Sequence, residues 1–270
     1  MAAAEQLDDL YEGIRSGDLE VRLASSSLDI DALQALRYRV FYDELGAVPD
    51  HHMRQLERDF DQFDPVCDHL IVTDGSRRGP GGAVVGTYRL SRRVNARKSG
   101  GFYTAGEYDI SAILKQRGEV LELGRSCVAA DYRNGHTMAL LWRGIAAYVF
   151  NYDVAWMFGC ASMSGVDIKK LATPLSYLHH YHMAPSEIRP RALAERYNSM
   201  DQVPQSKIEK RSARSLLPPL VKGYLRVGCF VGDGAVLDFQ FQTTDVCIIV
   251  KTDRVAEKYR QHYEHGRHSA

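Results

Sequence analysis

A stretch near the middle of the chain places a carboxylate, a guanidinium and a glycine in the order of a strand, a turn and a helix. Residues 121–128 read Leu-Glu-Leu-Gly-Arg-Ser-Cys-Val, and residues 131–137 read Asp-Tyr-Arg-Asn-Gly-His-Thr. Backbone N–H groups at a helix start bind phosphate or pyrophosphate. A carboxylate, Glu122, beside such a turn suggests transfer of a group from a phosphate-bearing carrier to an acceptor that must lose a proton.

The elements around this stretch alternate between the strand and helix periods of hydrophobicity. We predict strands over residues 19–24, 69–73, 84–91, 120–128, 154–160 and 246–251. We predict helices over residues 4–16, 28–45, 110–115, 137–150, 171–183, 218–227 and 255–262. Residues 92–106 are basic and glycine-bearing and are expected to form a mobile loop, and residues 185–218 to be irregular or edge structure.

Neither an internal repeat nor a low-complexity linker is visible. We therefore expect one α/β domain over residues 19–262, with a helical extension over residues 1–18 and a disordered tail over residues 263–270. The central sheet is expected to be mixed and flanked by helices, with a C-terminal elaboration.

Composition narrows the class of protein. Of the 270 residues 45% are hydrophobic and 25% are charged, as in ordinary globular proteins, and the formal net charge of zero does not argue for nucleic acid. Apolar runs fall far short of the roughly 20 residues of a membrane span, and the first residues do not resemble a signal peptide. The five cysteines show no C-x-x-C spacing, which indicates reduced thiols and a cytoplasmic location.

Eight blocks, in this order along the chain, resemble the GNAT acyltransferases. More specifically, they resemble the ornithine–acyl carrier protein N-acyltransferases. The blocks are Leu36-Arg-Tyr-Arg-Val-Phe-Tyr42, Phe63-Asp-Pro-Val-Cys-Asp-His-Leu70, Val85-Gly-Thr-Tyr-Arg-Leu90, Glu122-Leu-Gly-Arg-Ser-Cys-Val128, Leu140-Leu-Trp-Arg-Gly-Ile145, Tyr177-Leu-His-His-Tyr-His-Met-Ala-Pro185, Leu217-Pro-Pro-Leu-Val-Lys-Gly-Tyr-Leu-Arg226 and Phe239-Gln-Phe-Gln-Thr-Thr-Asp-Val246. The resemblance implies a GNAT-like fold and transfer of a 3-hydroxyacyl chain from acyl carrier protein to the α-amine of L-ornithine. This reaction begins bacterial ornithine lipid synthesis.

A second resemblance concerns single positions. The residues Arg37, Phe41, Asp61, Asp64, Arg89, Glu122 and Arg125 follow the order of positions shared by acyl-homoserine lactone synthases. That family also moves an acyl chain from acyl carrier protein to an amine derived from an amino acid. This second resemblance supports transfer of an acyl chain from acyl carrier protein to an amine, although the product of that family is different.

The acyl-transfer chemistry can be assigned to residues. An amine attacks a thioester only when it is neutral, and Glu122, between two leucines on a strand, is our candidate for the base that takes its proton. The other interpretation of Glu122 is an ion pair with Arg125, which we expect to organise it or to contact substrate. Gly124 would permit a bulge whose N–H groups bind the oxyanion. Cys127 shows no sign of a reactive thiol.

The acceptor carries a carboxylate and a second ammonium. Arginine binds a carboxylate through two hydrogen bonds, and acidic residues bind an ammonium. We expect substrate contacts from Arg37, Arg89, Asp61 and Asp64, with Arg39, Arg125 and Asp59 as further candidates.

The turn after the strand is the expected donor site. Residues Arg133, Asn134, Gly135, His136 and Thr137 form a loop shorter than the usual GNAT pyrophosphate loop. A shorter loop suits the single phosphate of a phosphopantetheine arm better than coenzyme A. The alternative is an ordinary helix start with Gly135 as its turn residue.

The predicted partners are acyl carrier protein and ornithine, with peripheral contact at the inner membrane because the product is amphiphilic, and no nucleic acid. No resident cofactor is expected, since the acyl group arrives on phosphopantetheine. His179, His180 and His182 do not share one helix face, so we predict no metal site.

Three kinds of function stay open at this point. The first is the lipid-forming N-acyltransferase, acting on ornithine or on glycine, glutamine or lysine. The second is a signal synthase that makes an acylated lactone, and the third is a non-catalytic protein that binds acyl carrier protein or an acyl lipid.

Overall fold

The computed structural model describes residues 13–77 and 83–253. The strands are β1 Ile14–Ser16, β2 Leu19–Leu23, β3 Asp68–Asp74, β4 Ala83–Arg92, β5 Tyr108–Asp109, β6 Glu119–Val128, β7 Val154–Ser164, β8 Arg191–Ala192, β9 Phe230–Val231, β10 Val236–Asp238 and β11 Thr243–Lys251. The helices are α1 Ser27–Tyr38, α2 His51–Leu56, α3 Arg93–Lys98, α4 Ser111–Leu114, α5 His136–Asn151, α6 Ala172–His182, α7 Lys210–Ser215 and α8 Pro219–Arg226. No helix in the described ranges is long and apolar enough to span a bilayer.

Two compact units make up the chain. Unit 1 contains residues up to Phe102 and Leu121–Val154, and unit 2 contains Tyr103–Val120 and the residues from Ala155 onward. This division does not test the prediction of a single domain over residues 19–262, which stays a prediction.

The sheet of unit 1 has the order β1-β2-β3-β4-β6, and each neighbouring pair is antiparallel. Helix α1 covers one face, where Leu33 and Leu36 pack with Ile71 of β3 and Cys127 of β6. Helix α5 covers the other face closely. A Cβ on Gly144 of α5 would lie within 3 Å of the Leu70 side chain, so this crossing requires glycine.

Unit 2 is organised around β11. One edge of β11 pairs along its length with β7, from Trp156 opposite Lys251 to Ser164 opposite Thr243. The other edge pairs with β10 near its start and with β9 farther along. The short strands β5 and β8 form a separate two-stranded sheet. The fully buried side chains include Tyr108 and Phe158.

Most of the predicted elements are confirmed, including β3, β4, β6, β7, β11 and helices α5, α6 and α8. The predicted helix over residues 28–45 is α1 followed by a π-helical segment, Arg39–Glu44. The predicted helices over residues 4–16 and 255–262 and the tail over 263–270 lie mostly or wholly outside the described residues. Where the first of them enters the described range, Ile14–Ser16 form β1 by pairing with Leu19–Val21.

The prediction of a mobile loop over residues 92–106 is wrong. Helix α3 begins there because the Asn95 side chain accepts a hydrogen bond from the Arg92 backbone N–H (2.9 Å) and donates one to the Val66 carbonyl (2.6 Å). Within the stretch predicted as irregular, α7 is a further element that we missed. Glu209 caps it by accepting hydrogen bonds from the N–H groups of Arg211 (2.9 Å) and Ser212 (2.6 Å).

Candidate active site

A buried guanidinium joins helix α1 to the loop that follows α2. The Arg37 side chain is fully buried, and its Nε donates to Asp59 Oδ2 at 2.5 Å. Its Nη1 and Nη2 donate to the two carboxylate oxygens of Asp64 at 3.1 and 2.8 Å. Tyr42 of the π-helical segment donates to Asp59 Oδ1 at 2.9 Å. Arg37 therefore fixes two carboxylates of the loop against α1.

Two guanidiniums from the sheet complete this cluster. Arg89 of β4 donates through Nη1 to Asp61 (2.6 Å) and Asp64 (2.8 Å). Arg125 of β6 donates to Asp61 at 3.0 Å, and its Nε lies 3.3 Å from Asp59. We call the set of Arg37, Asp59, Asp61, Asp64, Arg89 and Arg125 the ion cluster. It contains three guanidiniums and three carboxylates, so its charges balance.

Exposure differs within the ion cluster. The side chains of Arg37 and Asp59 have no exposed surface, and those of Asp64 and Arg89 are each 3% exposed. Asp61 and Arg125 reach the surface, with 18% and 11% of their side chains exposed. The part of the ion cluster that a substrate can meet is therefore the Asp61–Arg125 pair.

The pKa values show how strongly the ion cluster favours charged carboxylates. Burial opposes ionisation of Asp64, but the charge of Arg37 and its hydrogen bonds hold the pKa of Asp64 well below its usual range. The charges of Arg89 and Arg125 likewise outweigh burial and lower the pKa of Asp61. Burial lowers the pKa of His69, whose Nε2 lies 3.0 Å from the Asp64 carbonyl.

A β-bulge sets the position of Arg125. Two steps along β4, from Thr87 to Arg89, match three steps along β6, from Cys127 to Gly124. The backbone of Arg125 has a φ of 48°, in the left-handed region that non-glycine residues rarely adopt. The bulge predicted for this strand is present, but the left-handed residue is Arg125 and not Gly124.

Glu122 lies on the same face of the sheet as the ion cluster. It is opposite Ser91 on β4, and Gly124, two residues farther along β6, is opposite Arg89. The Glu122 side chain is 5% exposed. Its charge is close enough to Cys67 to act on that thiol, whose pKa is raised to about 11, chiefly by burial. A buried carboxylate thus stands beside the ion cluster, and the nearby thiol is protonated.

The predicted donor loop is the N-terminus of helix α5. Gly135 has a φ of 85° and precedes the first helical residue, and as a glycine it has no side chain with which to cap the helix. The Asn134 side chain accepts a hydrogen bond from the His136 N–H at 3.0 Å. Arg133 forms an ion pair with Glu44 and donates to the Val128 carbonyl (3.0 Å). The hydroxyl of Thr137 is buried with no hydrogen-bond partner among the described residues.

The sequence did not identify all of these contacts. We missed Tyr42, Glu44 and Ser91. The partners of Tyr42 and Glu44 lie 17 and 89 residues away in the chain, and Ser91 is opposite Glu122 on the neighbouring strand. The register of β4 against β6 would have given Ser91. Arg39 is not part of the ion cluster. The structure brings Arg37, Asp61, Asp64, Arg89 and Arg125 together with Asp59, and the substrate-binding and catalytic roles that we predicted for them stay predictions.

The fold and this arrangement define a class of protein. Residues 36–143 match the model of the acetyltransferase (GNAT) domain, and this range includes the ion cluster, Glu122 and the loop at Gly135. This part of the chain thus has the pattern of a GNAT acetyltransferase domain.

Curated relatives give the particular family. The chain is 46% identical to the L-ornithine N(alpha)-acyltransferase of Brucella abortus (strain 2308), over 92% of this chain and 90% of the relative. It is 44% identical to that of Agrobacterium fabrum, over 92% and 86%, and 42% identical to that of Rhodobacter capsulatus, over 90% and 94%. The chain belongs to the L-ornithine N(alpha)-acyltransferase family, which confirms the first resemblance.

Among solved structures, the acyl-homoserine lactone synthase LasI is similar over 86% of this chain and 89% of its own. The TM-score is 0.44 and the identity 13%. A likeness at this level adds nothing about the reaction.

Proposed function

We propose that the protein moves a 3-hydroxyacyl chain from acyl carrier protein to the α-amine of L-ornithine and so forms lyso-ornithine lipid. The observation that carries this proposal is the identity of 42–46% with L-ornithine N(alpha)-acyltransferases over at least 90% of the chain. The buried carboxylate Glu122 beside the ion cluster supports it, because the reaction needs both a base and charged groups that recognise an amino acid.

The acceptor is held at the exposed edge of the ion cluster. Arg125 binds the ornithine carboxylate, and Asp61 binds the side-chain ammonium, since these two side chains are the ones that reach solvent. Arg37 and Asp64 were predicted to contact substrate directly. Their side chains are at most 3% exposed and bond to each other, so we assign them to holding Arg89 and the loop in place.

Chemistry takes place on the face that carries Glu122. Glu122 takes a proton from the ornithine α-ammonium, and the neutral nitrogen attacks the thioester carbonyl carbon. The C–N bond forms, the C–S bond breaks, and the nitrogen loses a second proton. One of the two protons goes to the departing thiolate of phosphopantetheine and the other passes to water. Backbone N–H groups at the Arg125 bulge stabilise the oxyanion. The pKa of Cys67 near 11 argues against a thiolate nucleophile on this face.

The donor phosphate binds at the start of helix α5. The helix end at Gly135, where the Asn134 side chain accepts from the His136 N–H, provides further N–H groups and a favourable dipole for an anion. The half-exposed guanidinium of Arg133 stands two residues before it and can exchange Glu44 for the phosphate. The proposed donor is acyl carrier protein, which presents a single phosphate, and the enzyme acts in the cytoplasm, with its amphiphilic product leaving at the membrane face.

The acceptor is tested by incubating the purified protein with 3-hydroxyacyl carrier protein and a panel of ornithine, glycine, glutamine and lysine. We expect N-acylornithine by mass spectrometry and release of the free thiol of the carrier in equal amount. Product with glycine, glutamine or lysine and none with ornithine would overturn the acceptor. Acyl coenzyme A as an equally good donor would overturn the assignment of the carrier.

The base is tested with Glu122→Gln, which keeps the size of the side chain and removes the proton acceptor. We expect kcat to fall by roughly 10²–10⁴-fold. The matched control is Glu119→Gln, three residues earlier on the same strand, which should keep kcat within about twofold. If Glu122→Gln has the parental urea midpoint and the parental kcat, Glu122 is not the base.

A further inference from the structure

A second group of buried carboxylates lies in unit 2, away from the residues used above. Glu107 precedes strand β5, Asp238 ends β10, and Asp245 lies near the start of β11. Their exposed fractions are 1%, 8% and 4%. One carboxylate oxygen from each lies within 4.8 Å of the other two. We call these three residues the acid cluster.

Hydrogen bonds from the chain use only part of the acid cluster. Asp238 Oδ1 accepts from the N–H groups of Gln240 (2.8 Å) and Phe241 (2.9 Å), which closes the β10–β11 turn. Asp245 Oδ1 accepts from the Thr243 hydroxyl at 2.9 Å. Glu107 Oε2 is completely buried and has no hydrogen-bond partner within the described residues. A buried, unpartnered carboxylate oxygen in a group of three close carboxylates calls for a positive charge.

The acid cluster therefore has a surplus of negative charge. Burial, with the charge of Asp245 added to it, raises the pKa of Glu107 to about 7. A hydrogen bond from the Cys160 thiol and the charge of Arg196 act in the other direction but are outweighed, and the Arg196 guanidinium donates to the Gly106 carbonyl at 2.8 Å. Either a cation or a retained proton must compensate this charge.

We propose that Glu107, Asp238 and Asp245 bind a divalent, oxygen-seeking cation of the Ca²⁺, Mn²⁺ or Mg²⁺ class. Carboxylate oxygens are the ligands these ions prefer. A separation of up to 4.8 Å between ligand atoms matches two oxygens on opposite sides of an ion at about 2.3–2.6 Å from each. The site is buried, so the ion is structural.

The position of the acid cluster explains what the ion would do. Glu107 belongs to the segment that leads into β5, and the two aspartates belong to the β10–β11 hairpin. Tyr108 already links the same segments, because its hydroxyl lies within hydrogen-bond distance of the carbonyls of Gly234 (3.1 Å) and Asp245 (2.9 Å). An ion shared by all three carboxylates would fasten this segment of unit 2 to the hairpin.

The test is titration of the full-length protein with Ca²⁺, Mn²⁺ and Mg²⁺ separately, after treatment with EDTA and at pH 8, followed by calorimetry and by thermal unfolding. We expect one ion per chain and an unfolding temperature that rises with its concentration. Absence of binding by all three ions would overturn the proposal and leave a retained proton as the compensation. This measurement on the parental chain does not depend on any variant folding.

The variant Glu107→Gln locates the ion. We expect its affinity to fall at least about tenfold, because one charged ligand is lost. The matched control, Glu195→Gln, removes an exposed carboxylate of the same unit and should bind as the parental chain does. Parental affinity in Glu107→Gln would overturn the assignment. It is the result expected if the ion binds instead at His179, His180 and Asp201. Acyl transfer is not measured, so the result is separate from the proposed reaction.

Discussion

Units 1 and 2 each contain a cluster of three carboxylates that are buried or largely buried, but the surroundings of the two clusters are opposite. In the ion cluster of unit 1, Asp59, Asp61 and Asp64 contact three guanidiniums at 2.5–3.3 Å. In the acid cluster of unit 2, the carboxylates face one another, and Glu107 Oε2 has no hydrogen-bond partner in the described chain. The pKa of Asp64 is lowered, whereas burial raises the pKa of Glu107.

A buried acid requires compensation of its negative charge. Removal of a carboxylate from water is unfavourable, and a guanidinium offsets this only if its geometry is good. Unit 1 meets the requirement within its described residues, because guanidiniums of α1, β4 and β6 contact the three loop carboxylates and leave Asp61 and Arg125 at the exposed edge. Among the described residues of unit 2, Glu107 Oε2 has no hydrogen-bond partner, and our proposal is that a bound cation meets the requirement there. Removal of one charge should therefore change the free energy of unfolding in opposite directions in the ion cluster and in the acid cluster.

The largest effect is expected from Arg37→Met. This change leaves Asp59 and Asp64 buried with fewer positive charges, so we expect the free energy of unfolding to fall by about 3–5 kcal/mol. Urea denaturation followed by circular dichroism measures it. The control is Arg15→Met, whose ion pair with Glu20 is exposed (77% and 20%) and should contribute less than about 1 kcal/mol. Equal effects of the two changes would contradict a special role for the balanced cluster.

The opposite sign is expected from Glu107→Gln in unit 2. In EDTA at pH 8 this change removes a charge that lacks a partner, so we expect the free energy of unfolding to rise by about 1–2 kcal/mol. In saturating divalent cation the order should reverse, because only the parental chain gains from binding. Loss of stability in both conditions would mean that the chain itself, through Arg196, already compensates Glu107.

The sequence predicted the elements of unit 1 well because β3, β4, β6 and α5 bury long apolar faces with clear periods. It also placed Arg37, Asp61, Asp64, Arg89 and Arg125 in one site, although that grouping came from family resemblance. The failures have physical reasons. Helix α3 depends on the contact of Asn95 with Val66, 29 residues away, and the left-handed backbone of Arg125 depends on pairing with β4.

The acid cluster was not predictable from local pattern. Glu107 is separated from Asp238 by 131 residues, and no motif links them. Each aspartate looks like an ordinary turn or strand residue, and Asp238 does cap a turn. Only the folded hairpin brings the three carboxylates together. The pattern of a single segment shows charges that lie close together in the chain. It does not show charges that meet only in the tertiary structure.

The smallest of the expected effects concerns an intermediate case, the Arg22–Asp29 pair at the other end of helix α1 from Arg37. Asp29 accepts hydrogen bonds from Arg22 Nη1 (2.9 Å) and Nη2 (2.7 Å) and from the Ser25 N–H (2.9 Å). With Ser26 it forms a capping box. The hydrogen bonds from Arg22 lower the pKa of Asp29 to about 2, although burial opposes this. We expect Asp29→Asn to lower the free energy of unfolding by about 1–2 kcal/mol at pH 7.

The pH dependence identifies the cause of that loss. Because the pKa of Asp29 is about 2 in the folded chain and 3.8 in the free group, its stabilisation is present above pH 4 and disappears as the pH falls through about 2. The difference in urea midpoint between parental and Asp29→Asn chains should therefore shrink from pH 4.5 to pH 3. Asp31→Asn, on the same helix in an ion pair with Arg58 that is about 40% exposed, is the control and should cost less than about 1 kcal/mol. If the difference for Asp29→Asn stays constant with pH, the cap depends on the shape of the side chain and not on its charge. The Arg22–Asp29 pair would then resemble neither the ion cluster nor the acid cluster.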